Sequence, residues 1–393
     1  MLTTDYTNKL LGLEDCKITN IENNSNEVII HLEMERKLHS CPCCKRQTNR
    51  IHDYRTQRIK DTSVQGKFTF LLLKRRRYSC MHCHKRFMED TPFVGKYQRI
   101  TKRLIHLCLR QFQETTSLKN KAKNLGLSSS QIRRIYSGLD FPSPRILPEI
   151  LSIDEFKGDA NGNKYQCILT DPEHHKVIDV LPMRSKSSLV AYFRQFKNRD
   201  TVKVVVMDMS NLFRAVIQEC FPHAVIVADK YHVVRQVGWA FEDVRINIQK
   251  QFSDEGRLLF KRSRGVLLKH PTKLSPEEME KVASLLSYSE PLAIAYRLRA
   301  QFLYIMKCTD YTEARHLLSR WVLEAQNSGL KKFITCASTF IKWSEPILAY
   351  FNAPYTNGYT EGINNKTKVI KRNAFGIRNF KHLRNRILYA CCP

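Results

Sequence analysis

The segment from Val202 to Asp208 constrains the fold of this chain most strongly, because it is apolar, rich in β-branched residues and closed by an acid. Such a run is typical of a buried strand. A second segment, Ile150 to Asp154, has the same design. Each aspartate stands at the C-terminal edge of its strand, so two neighbouring strands would bring the carboxylates together. The pattern predicts a buried sheet with an acidic edge that can hold divalent metal ions.

The composition indicates a large protein that acts on a polyanion. Its 393 residues suggest two to four domains, and 42% of them are hydrophobic, enough for sizeable cores. With 65 Lys and Arg against 37 Asp and Glu, the net charge is +28, for which DNA or RNA is the first candidate partner. A membrane is a weaker candidate, since no apolar run approaches the roughly 20 residues that cross a bilayer. Met1 to Leu13 show no secretory signal, so we expect the chain in the cytosol, where disulfides are rare and the 13 cysteines need another role.

Four of the cysteines form two C-x-x-C pairs, Cys41 with Cys44 and Cys80 with Cys83. Four thiolates in a tetrahedral arrangement suit a structural zinc ion, and two such pairs are typical of these sites. The segment between the pairs includes the strand-like run from Lys67 to Leu73, so it can form a small sheet. The alternative is a set of buried cysteines without a metal. Spare ligand candidates nearby are Cys43, His82 and His84.

A basic run, Lys74-Arg75-Arg76-Arg77, leads directly into the second cysteine pair. On a small zinc module, such a run is well placed to contact DNA phosphates. We therefore predict DNA contacts for Arg75, Arg76 and Arg77. The simpler alternative is a charged strand edge that faces solvent.

Residues 100–139 have the pattern of three short helices. Ser128 can cap the third, in which Ile132, Ile135 and Tyr136 are predicted to point inward. This is helix-turn-helix architecture, in which the last helix contacts DNA, and a plain helical linker is the alternative. The predicted DNA contacts on its exposed face are Ser129, Gln131, Arg133 and Arg134.

From residue 150 the predicted order of elements is three strands, a helix, a strand, a helix and a strand. This is the order of the ribonuclease-H-like fold, in which the first and fourth strands lie side by side. Asp154 and Asp208 would then face each other. Two hard carboxylates suit Mg²⁺, and a pair of such ions can activate a water or a 3′-hydroxyl and stabilise the leaving oxygen.

A third acidic ligand is expected on a later helix, and Glu361 stands near the start of one. Asn365 lies one turn beyond it on the same face. No acid follows Glu361, whereas eight Lys and Arg residues do, which suits a site that acts on a DNA backbone. For any single acid, a helix cap or an ion-pair partner is the alternative role. The predicted DNA contacts on this helix are Lys366, Lys368, Lys371 and Arg372.

The blocks IDEF, VVVMDMS, ADKYHVVR and TNGYTEGINNKTKVIKRNAFGIRNF resemble the signature blocks of the bacterial ISL3 insertion-sequence family of DDE transposases. The cysteine pairs and the helix-turn-helix segment match in the same order. The resemblance implies a DDE catalytic triad of Asp154, Asp208 and Glu361, served by two Mg²⁺ or Mn²⁺ ions, and a bacterial, nucleoid-associated protein. Asp229 and His232 lie in a block that resembles a D-x-x-H motif, which implies accessory roles for them.

Together these patterns predict a multidomain α+β chain. An N-terminal region, residues 1–95, would hold the zinc-binding β module at about 37–93, and the helix-turn-helix domain would span 98–142. The ribonuclease-H-like core would comprise 149–233 and 351–393, interrupted by an α-helical insertion at 234–350. One departure from the family pattern is Lys45, at a position often held by glycine. In the insertion, burial in the core is expected more than a DNA contact for Trp239, Trp321 and Trp343.

The predicted function is DNA transposition. The zinc module and the helix-turn-helix would bind terminal inverted repeats, and the carboxylate site would cut the element ends and join the freed 3′-hydroxyl to target DNA. Because two ends must be brought together, we expect a homodimer or larger assembly on double-stranded DNA, and no membrane partner. The alternatives are a DNA-binding regulator that has lost catalysis and a ribonuclease-H-like nuclease without strand transfer.

Overall fold

The computed structural model describes residues 8, 9, 11–13 and 15–391. Most of the segment Met1 to Leu13, in which no secretory signal is expected, therefore lies outside the described residues. The chain divides into two compact units, with the boundary between Asp140 and Phe141. Each unit has a sheet and helices of its own.

The first unit is built on a five-stranded sheet. Its strands are β1 (Cys16–Asn23), β2 (Glu27–Met34), β5 (Ile51–Val64), β6 (Lys67–Ser79) and β7 (Arg86–Met88), with β3 (His39–Ser40) and β4 (Gln47–Thr48) as a separate ribbon. The order is β1-β2-β6-β5, and β7 pairs with the end of β6. The β5–β6 hairpin turns at Gln65 and Gly66, which both have positive φ, as the right-handed twist of the strands favours. The ribbon and the ends of β6 and β7 carry the cysteine pairs.

Within the described residues, the segment predicted as helix-turn-helix forms three α-helices: α1 (Lys102–Arg110), α2 (Leu118–Leu125) and α3 (Ser129–Ser137). The side chains of Thr101, Ser117 and Ser128 cap their first turns. Gly126 ends α2 in the left-handed conformation, at φ 59°. In α3, Ile132 and Tyr136 are buried, whereas Ile135 is only half-buried.

The sheet of the second unit has the strand order β10-β9-β8-β11-β12. Its strands are β8 (Ile150–Ala160), β9 (Asn163–Asp171), β10 (Lys176–Leu181), β11 (Val204–Met207) and β12 (Val225–Ala228). β8 runs parallel to β11, and β11 parallel to β12, while β9 and β10 form an antiparallel meander with β8. The first and fourth strands are therefore neighbours, as the ribonuclease-H-like order requires. The strand predicted at 202–208 is shorter, because Val202 follows a single turn of 3-10 helix and Asp208 lies beyond the last pairing.

Helices surround this sheet and make up the rest of the unit. They are α4 (Lys186–Arg194), α5 (Asn211–Cys220), α6 (Lys230–Gln249), α7 (Asp254–Arg262), α8 (Arg264–Leu268), α9 (Pro276–Ser287), α10 (Glu290–Ile305), α11 (Tyr311–Gln326), α12 (Lys331–Lys342), α13 (Ser344–Asn352), α14 (Gly358–Asn373) and α15 (Phe380–Cys391). Within the described ranges, no helix is both long and apolar enough to cross a membrane.

Two apolar clusters cover the two faces of the sheet. One contains Ile153 and Met207 and continues into the helices between α4 and α13. The other contains Phe156 with Ile363 of α14 and Ile387 of α15. Because successive residues of a strand face opposite sides, Ser152, Asp154 and Phe156 lie together on the face that α14 covers.

The three tryptophans have different environments. Trp321 is 2% exposed and donates its indole N–H to the Leu298 carbonyl over 2.7 Å, and Trp343 is buried beneath the Arg214 guanidinium. Trp239 is 58% exposed, so the expectation that it belongs to the core is wrong. It lies at the edge of a groove between α6, α8 and α10.

Candidate metal sites and DNA-binding residues

The four predicted cysteines form one cluster. The sulfurs of Cys41, Cys44, Cys80 and Cys83 all lie within 4.8 Å of one another. Cys41 Sγ is 3.4 Å from Cys83 Sγ, and Cys44 Sγ is 3.5 Å from Cys80 Sγ. Of the spare candidates, neither histidine nor Cys43 belongs to this group of described residues. Four converging thiols are the donor set of a structural zinc ion.

Each cysteine pair opens a turn of the same design. The Lys45 N–H donates to the Cys41 carbonyl over 3.0 Å, and the His84 N–H donates to the Cys80 carbonyl over 3.1 Å. Lys45 and His84 both take left-handed backbone conformations, at φ 62° and 57°. Lys45 thus adopts the conformation that glycine favours, at a cost of roughly 1–2 kcal/mol. The backbone N–H groups of Cys83 and His82 lower the pKa of Cys80 to about 6, which favours the thiolate that binds zinc.

The basic run of β6 does not act as one DNA-facing surface, and the prediction for Arg76 is wrong. The Arg76 side chain is buried and forms ion pairs with Glu33 over 3.2 Å and with the buried Glu89 over 3.4 Å. The physical reason is the alternation of a strand, which turns Arg76 to the side opposite Arg75 and Arg77, where Glu33 and Glu89 enclose it. Arg75 is half-buried and donates to the Gln57 side chain and the Glu89 carbonyl, while Arg77 lies 3.6 Å from Asp53.

The predicted contact residues of α3 lie on its exposed side. Ser129, Arg133 and Arg134 are exposed and available to a partner. Gln131 is also exposed, but its side-chain oxygen accepts from the Ser128 N–H over 2.8 Å and completes a capping box. The side chain of Gln131 therefore helps to begin the helix.

Three aspartates form a row across the parallel strands of the second unit. Ile153 pairs with Met207, and Met207 pairs with Ala228. Asp154, Asp208 and Asp229 each follow one of these residues and so stand at the same level of the sheet. We call these three residues the aspartate row. The open edge beyond the carboxyl ends of parallel strands is where α/β sheets bind ligands.

Asp154 is the most buried of the three acids that were predicted as the catalytic triad. It is 7% exposed, and the Asn364 side-chain N–H donates to its Oδ2 over 2.7 Å. Burial, followed by the charge of nearby Asp208, raises the pKa of Asp154 to about 7. A cation bound beside these two carboxylates would favour their ionised forms and so offset the effects of burial and of like charge.

Asp208 and Asp229 share His232. The His232 Nδ1 atom contacts Asp208 Oδ1 directly and lies 3.2 Å from Asp229 Oδ2. Burial opposes protonation of His232, but the hydrogen bonds with Asp208 and then Asp229 prevail and raise its pKa to about 9. Ligand atoms of these three residues lie within 4.8 Å of one another, so they too could hold a metal ion. Their proximity was not predicted, since Asp229 and His232 were expected only as accessory residues.

Asp229 also fixes the starts of two helices. Its side chain caps α6 by accepting from the His232 N–H over 3.3 Å. Its Oδ1 accepts from the Asn357 N–H over 2.9 Å, at the start of α14. The Asp229 carboxylate, 2% exposed as a residue, therefore joins β12, α6 and α14.

Polar contacts hold α14 against the sheet. The Ser152 hydroxyl donates to Asn357 Oδ1 over 2.5 Å and lies 2.8 Å from the Thr360 hydroxyl. Asn357, Thr360 and Asn364 occupy one helical face at spacings of three and four residues. Glu361 lies in the first turn, four residues after Asn357 and three before Asn364, and is half-exposed.

The structure does not bring the whole predicted triad into one tight group. Among the described residues, the Glu361 carboxylate belongs to no set of three ligand atoms within 4.8 Å of one another, and neither does Asp154. Asn364, which was not predicted, is the residue that links this helix to Asp154. Asn365, placed one turn beyond Glu361 by the sequence, is exposed and accepts from Lys368. The spacing of Asn357, Thr360 and Asn364 in the sequence would have predicted that this side of α14 is buried against the sheet.

The donor chemistry of this region fits a divalent cation of the Mg²⁺ type. Carboxylates of the aspartate row are hard oxygen ligands. Asn364 adds a buried amide oxygen that has no hydrogen-bond partner among the described residues. A buried oxygen without a partner, beside an acid of raised pKa, is the environment that such a cation would satisfy.

The basic residues of α14 are divided between two roles. Lys366 donates to the Ala390 carbonyl, and Lys371 donates to the Lys157 carbonyl over 2.5 Å and pairs with Asp159 over 3.2 Å. Lys366 therefore connects α14 to α15, and Lys371 connects α14 to β8. Lys368 and Arg372 are exposed, so they are the better candidates for a DNA contact.

Comparison with known families accounts for most of the chain. A transposase family model, the DDE domain of the ISL3 family, matches residues 151–387. A model described as the zinc-finger of transposase IS204/IS1001/IS1096/IS1165 matches residues 37–83, and the helix-turn-helix domain of transposase family ISL3 matches residues 89–138. The three matches follow the predicted order.

Named relatives match this chain over different shares of their length. The transposase for insertion sequence element IS1001 of Bordetella parapertussis is 28% identical over 368 residues, which cover 91% of this chain and 90% of the relative. The transposase for IS1557 of Mycobacterium tuberculosis is 22% identical over 257 residues, covering 58% and 57%. A Lactococcus lactis protein named ATP-dependent protease is 34% identical, but over 111 residues that cover 28% of this chain and 34% of that protein. The chain belongs to the ISL3 family of DDE transposases, and it is a DNA transposase with a zinc ribbon, a helix-turn-helix and a DDE domain in that order.

Proposed function

We propose that this transposase cuts DNA at the ends of an insertion sequence and joins the freed 3′-hydroxyl to target DNA, using the edge of the sheet that carries the aspartate row. The observation that carries the proposal is the common level of Asp154, Asp208 and Asp229 on adjacent parallel strands. That row lies at the carboxyl edge of the sheet, where Asp208 is partly exposed, in a chain of net charge +28, which favours a DNA substrate.

In this proposal Asp154 and Asp208 are ligands of two Mg²⁺ or Mn²⁺ ions, and Glu361 is the third acidic ligand. When bound, such ions supply Lewis-acid stabilisation of phosphate oxygens and an activated water or hydroxyl. Asp154 is held in place by Asn364. Asp208 is held by His232, whose charge balances part of the acidic site. Asp229 positions α6 and α14, which carry His232 and Glu361.

The first unit is proposed to bind the terminal inverted repeats. Its exposed basic side chains on α3, Arg133 and Arg134, are the proposed phosphate contacts, and Ser129 is a candidate for a base contact. The cysteine cluster would hold structural zinc. We further propose the domain limits 1–95, 98–142, 149–233, 234–350 and 351–393, with the fourth as the α-helical insertion. A homodimer or larger assembly would pair the two ends in the nucleoid.

The test is an Asp208→Ala substitution in the full chain, assayed on DNA that carries the inverted repeats flanking its gene. We expect metal-dependent cleavage to be lost while binding to the ends is retained, because the first unit is unchanged. Asp200→Ala is the matched control, since Asp200 is exposed and lies on the 3-10 turn outside the aspartate row. Normal cleavage by the Asp208→Ala chain would overturn the proposal.

A second assay separates the proposed activity from its rivals. A DNA end that has already been cut is offered together with a target plasmid and Mg²⁺. A transposase joins the end to the plasmid, a nuclease without strand transfer only nicks, and a regulator leaves both substrates unchanged. Joined products that disappear in the Asp208→Ala chain are the expected result.

A further inference from the structure

One side of α6 carries an aromatic and basic ladder. Tyr231, Arg235 and Trp239 are four residues apart, so they lie on one helical face. The Arg235 guanidinium lies 5.4 Å from the centre of the Tyr231 ring and 4.7 Å from the Trp239 ring. Both rings are largely in solvent, with Tyr231 51% and Trp239 58% exposed. Large exposed aromatic side chains that bracket an arginine are typical of surfaces that bind a partner.

The arginine of this ladder has no acidic partner. No carboxylate among the described residues forms an ion pair with Arg235, and its Nε is buried without a hydrogen-bond partner in the described chain. Three other arginines of α6 to α10 do have such partners: Arg245 and Arg264 pair with Glu242, and Arg299 donates to the carbonyls at the end of α8. Arg235 therefore keeps its charge and its donors for a ligand.

The ladder borders a groove next to the aspartate row. The groove has a volume of 320 Å³ and lies between α6, α8 and α10, which is at the small end of the range of about 300–1,000 Å³ for ligand pockets. The ladder begins beside the site, since the Tyr231 and His232 rings are edge to face at 5.5 Å. At 1.5 Å per helical residue, it extends about 12 Å from Tyr231 to Trp239.

We propose that Tyr231, Arg235 and Trp239 form a stacking platform for unpaired nucleotides of the DNA strand that is cut. The inference rests on the proposed function, because it takes DNA at the aspartate row as the substrate. Aromatic faces stack on any base, and an arginine between them adds a charge for the phosphates and a planar group for stacking. A duplex has no free base faces except at its ends, so the ladder selects nucleotides that have left the helix.

The experiment compares two probes and uses the full chain with its zinc retained but without Mg²⁺ or Mn²⁺, so that no cleavage occurs. One probe is a fluorescein-labelled blunt duplex, and the other is the same duplex with a short unpaired oligothymidine tail. We expect the unmodified chain to bind the tailed probe more tightly. Trp239→Ala is expected to weaken binding of the tailed probe about tenfold and leave the blunt probe unchanged. Tyr231→Ala is a second, independent variant with the same expected direction.

Two control variants make the result specific. Trp239→Phe keeps an aromatic face and is expected to restore most of the affinity for the tail. Tyr304→Ala removes a side chain of similar exposure, 59%, from α10 and is expected to change nothing. Equal binding of both probes by the unmodified chain would overturn the platform. So would equal losses on both probes in Trp239→Ala, or a loss of the same size in Tyr304→Ala.

The platform and the proposed function can fail separately. The Asp208→Ala chain is expected to bind the tailed probe at least as tightly as the unmodified chain, since the ladder is intact. If Asp208→Ala still cuts DNA, the proposed function is wrong. If Asp208→Ala fails to cut and Trp239→Ala binds the tail normally, only the platform is wrong.

Discussion

The cysteine cluster and the aspartate row are both candidate metal sites, but the chain assembles them in opposite ways. The cysteine cluster comes from two short turns of the same design, each complete within a few residues. The aspartate row needs three strands and is tied to α14 by Asn364, which is far from Asp154 in sequence. None of the apolar clusters of the described residues includes the first site, so we expect it to depend on its metal, whereas the second lies between two apolar clusters.

The largest expected effect follows from this dependence. Cys80→Ala should abolish zinc binding and unfold the β3–β4 ribbon, because structural zinc contributes on the order of 10 kcal/mol to such modules. Zinc content per chain and hydrogen exchange of residues 39–48 would measure it. Cys43→Ala is the matched control, since Cys43 is exposed and outside the cluster, and it should keep the zinc. A Cys80→Ala chain with a full zinc content would show that Cys80 is not needed for zinc binding and would contradict the prediction.

The second prediction concerns Asp154, where removing a charge should stabilise the fold. In buffer without Mg²⁺ or Mn²⁺, the Asp154 carboxyl is protonated in both the folded and the unfolded chain only when the pH is well below its ordinary pKa of 3.8. Its pKa is about 7 in the folded chain and 3.8 ordinarily, so the folded chain loses stability as the pH rises through this window. Above pH 7, Asp154→Asn should therefore raise the free energy of unfolding of the second unit by up to about 4 kcal/mol.

Urea unfolding at several pH values would measure that difference. Asp159→Asn serves as the control, because Asp159 is exposed at the end of β8 and pairs with Lys371. We expect no comparable gain from it. If Asp154→Asn is no more stable than the unmodified chain at pH 8, then the buried Asp154 carboxylate does not destabilise the folded chain, contrary to the prediction.

The smallest expected effect is at Asn364. Asn364→Ala removes the hydrogen bond to Asp154 and the unpartnered amide oxygen, so it should weaken the apparent Mg²⁺ affinity in cleavage by about 10- to 100-fold. Cleavage rates as a function of Mg²⁺ concentration are the measurement. Asn365→Ala, one residue away and exposed, should have no effect. Equal effects of the two substitutions would show that Asn364 does not position Asp154.

Sequence reasoning succeeded where the chemistry is local or where an apolar run ends on a distinctive residue. The C-x-x-C spacing identified the cysteine cluster, and the strand ends identified Asp154 and Asp208. It missed the equal level of Asp229 because strand register depends on hydrogen bonds between distant segments. The same limit applies to Asn364, whose importance appears only when α14 is packed on β8.

The errors have a common physical origin in the direction of side chains. Arg76 was predicted to contact DNA because a run of charges suggests a surface, but strand alternation turns it inward to Glu89. Trp239 was expected in the core because tryptophan is large and apolar, but it borders a groove on α6 and stays largely exposed. In each case the residue type was a weaker guide than the face on which it stands.

The pairing of β8, β11 and β12 also sets where this chain can change in length. Adding or deleting one residue inside any of these strands would turn its aspartate to the opposite face of the sheet. The helices α7 to α13 contribute no residue to the aspartate row, so whole turns can be gained or lost there without moving it. We therefore expect the separation between Asp208 and Glu361 to differ freely among related chains, while the lengths of the three short strands stay the same.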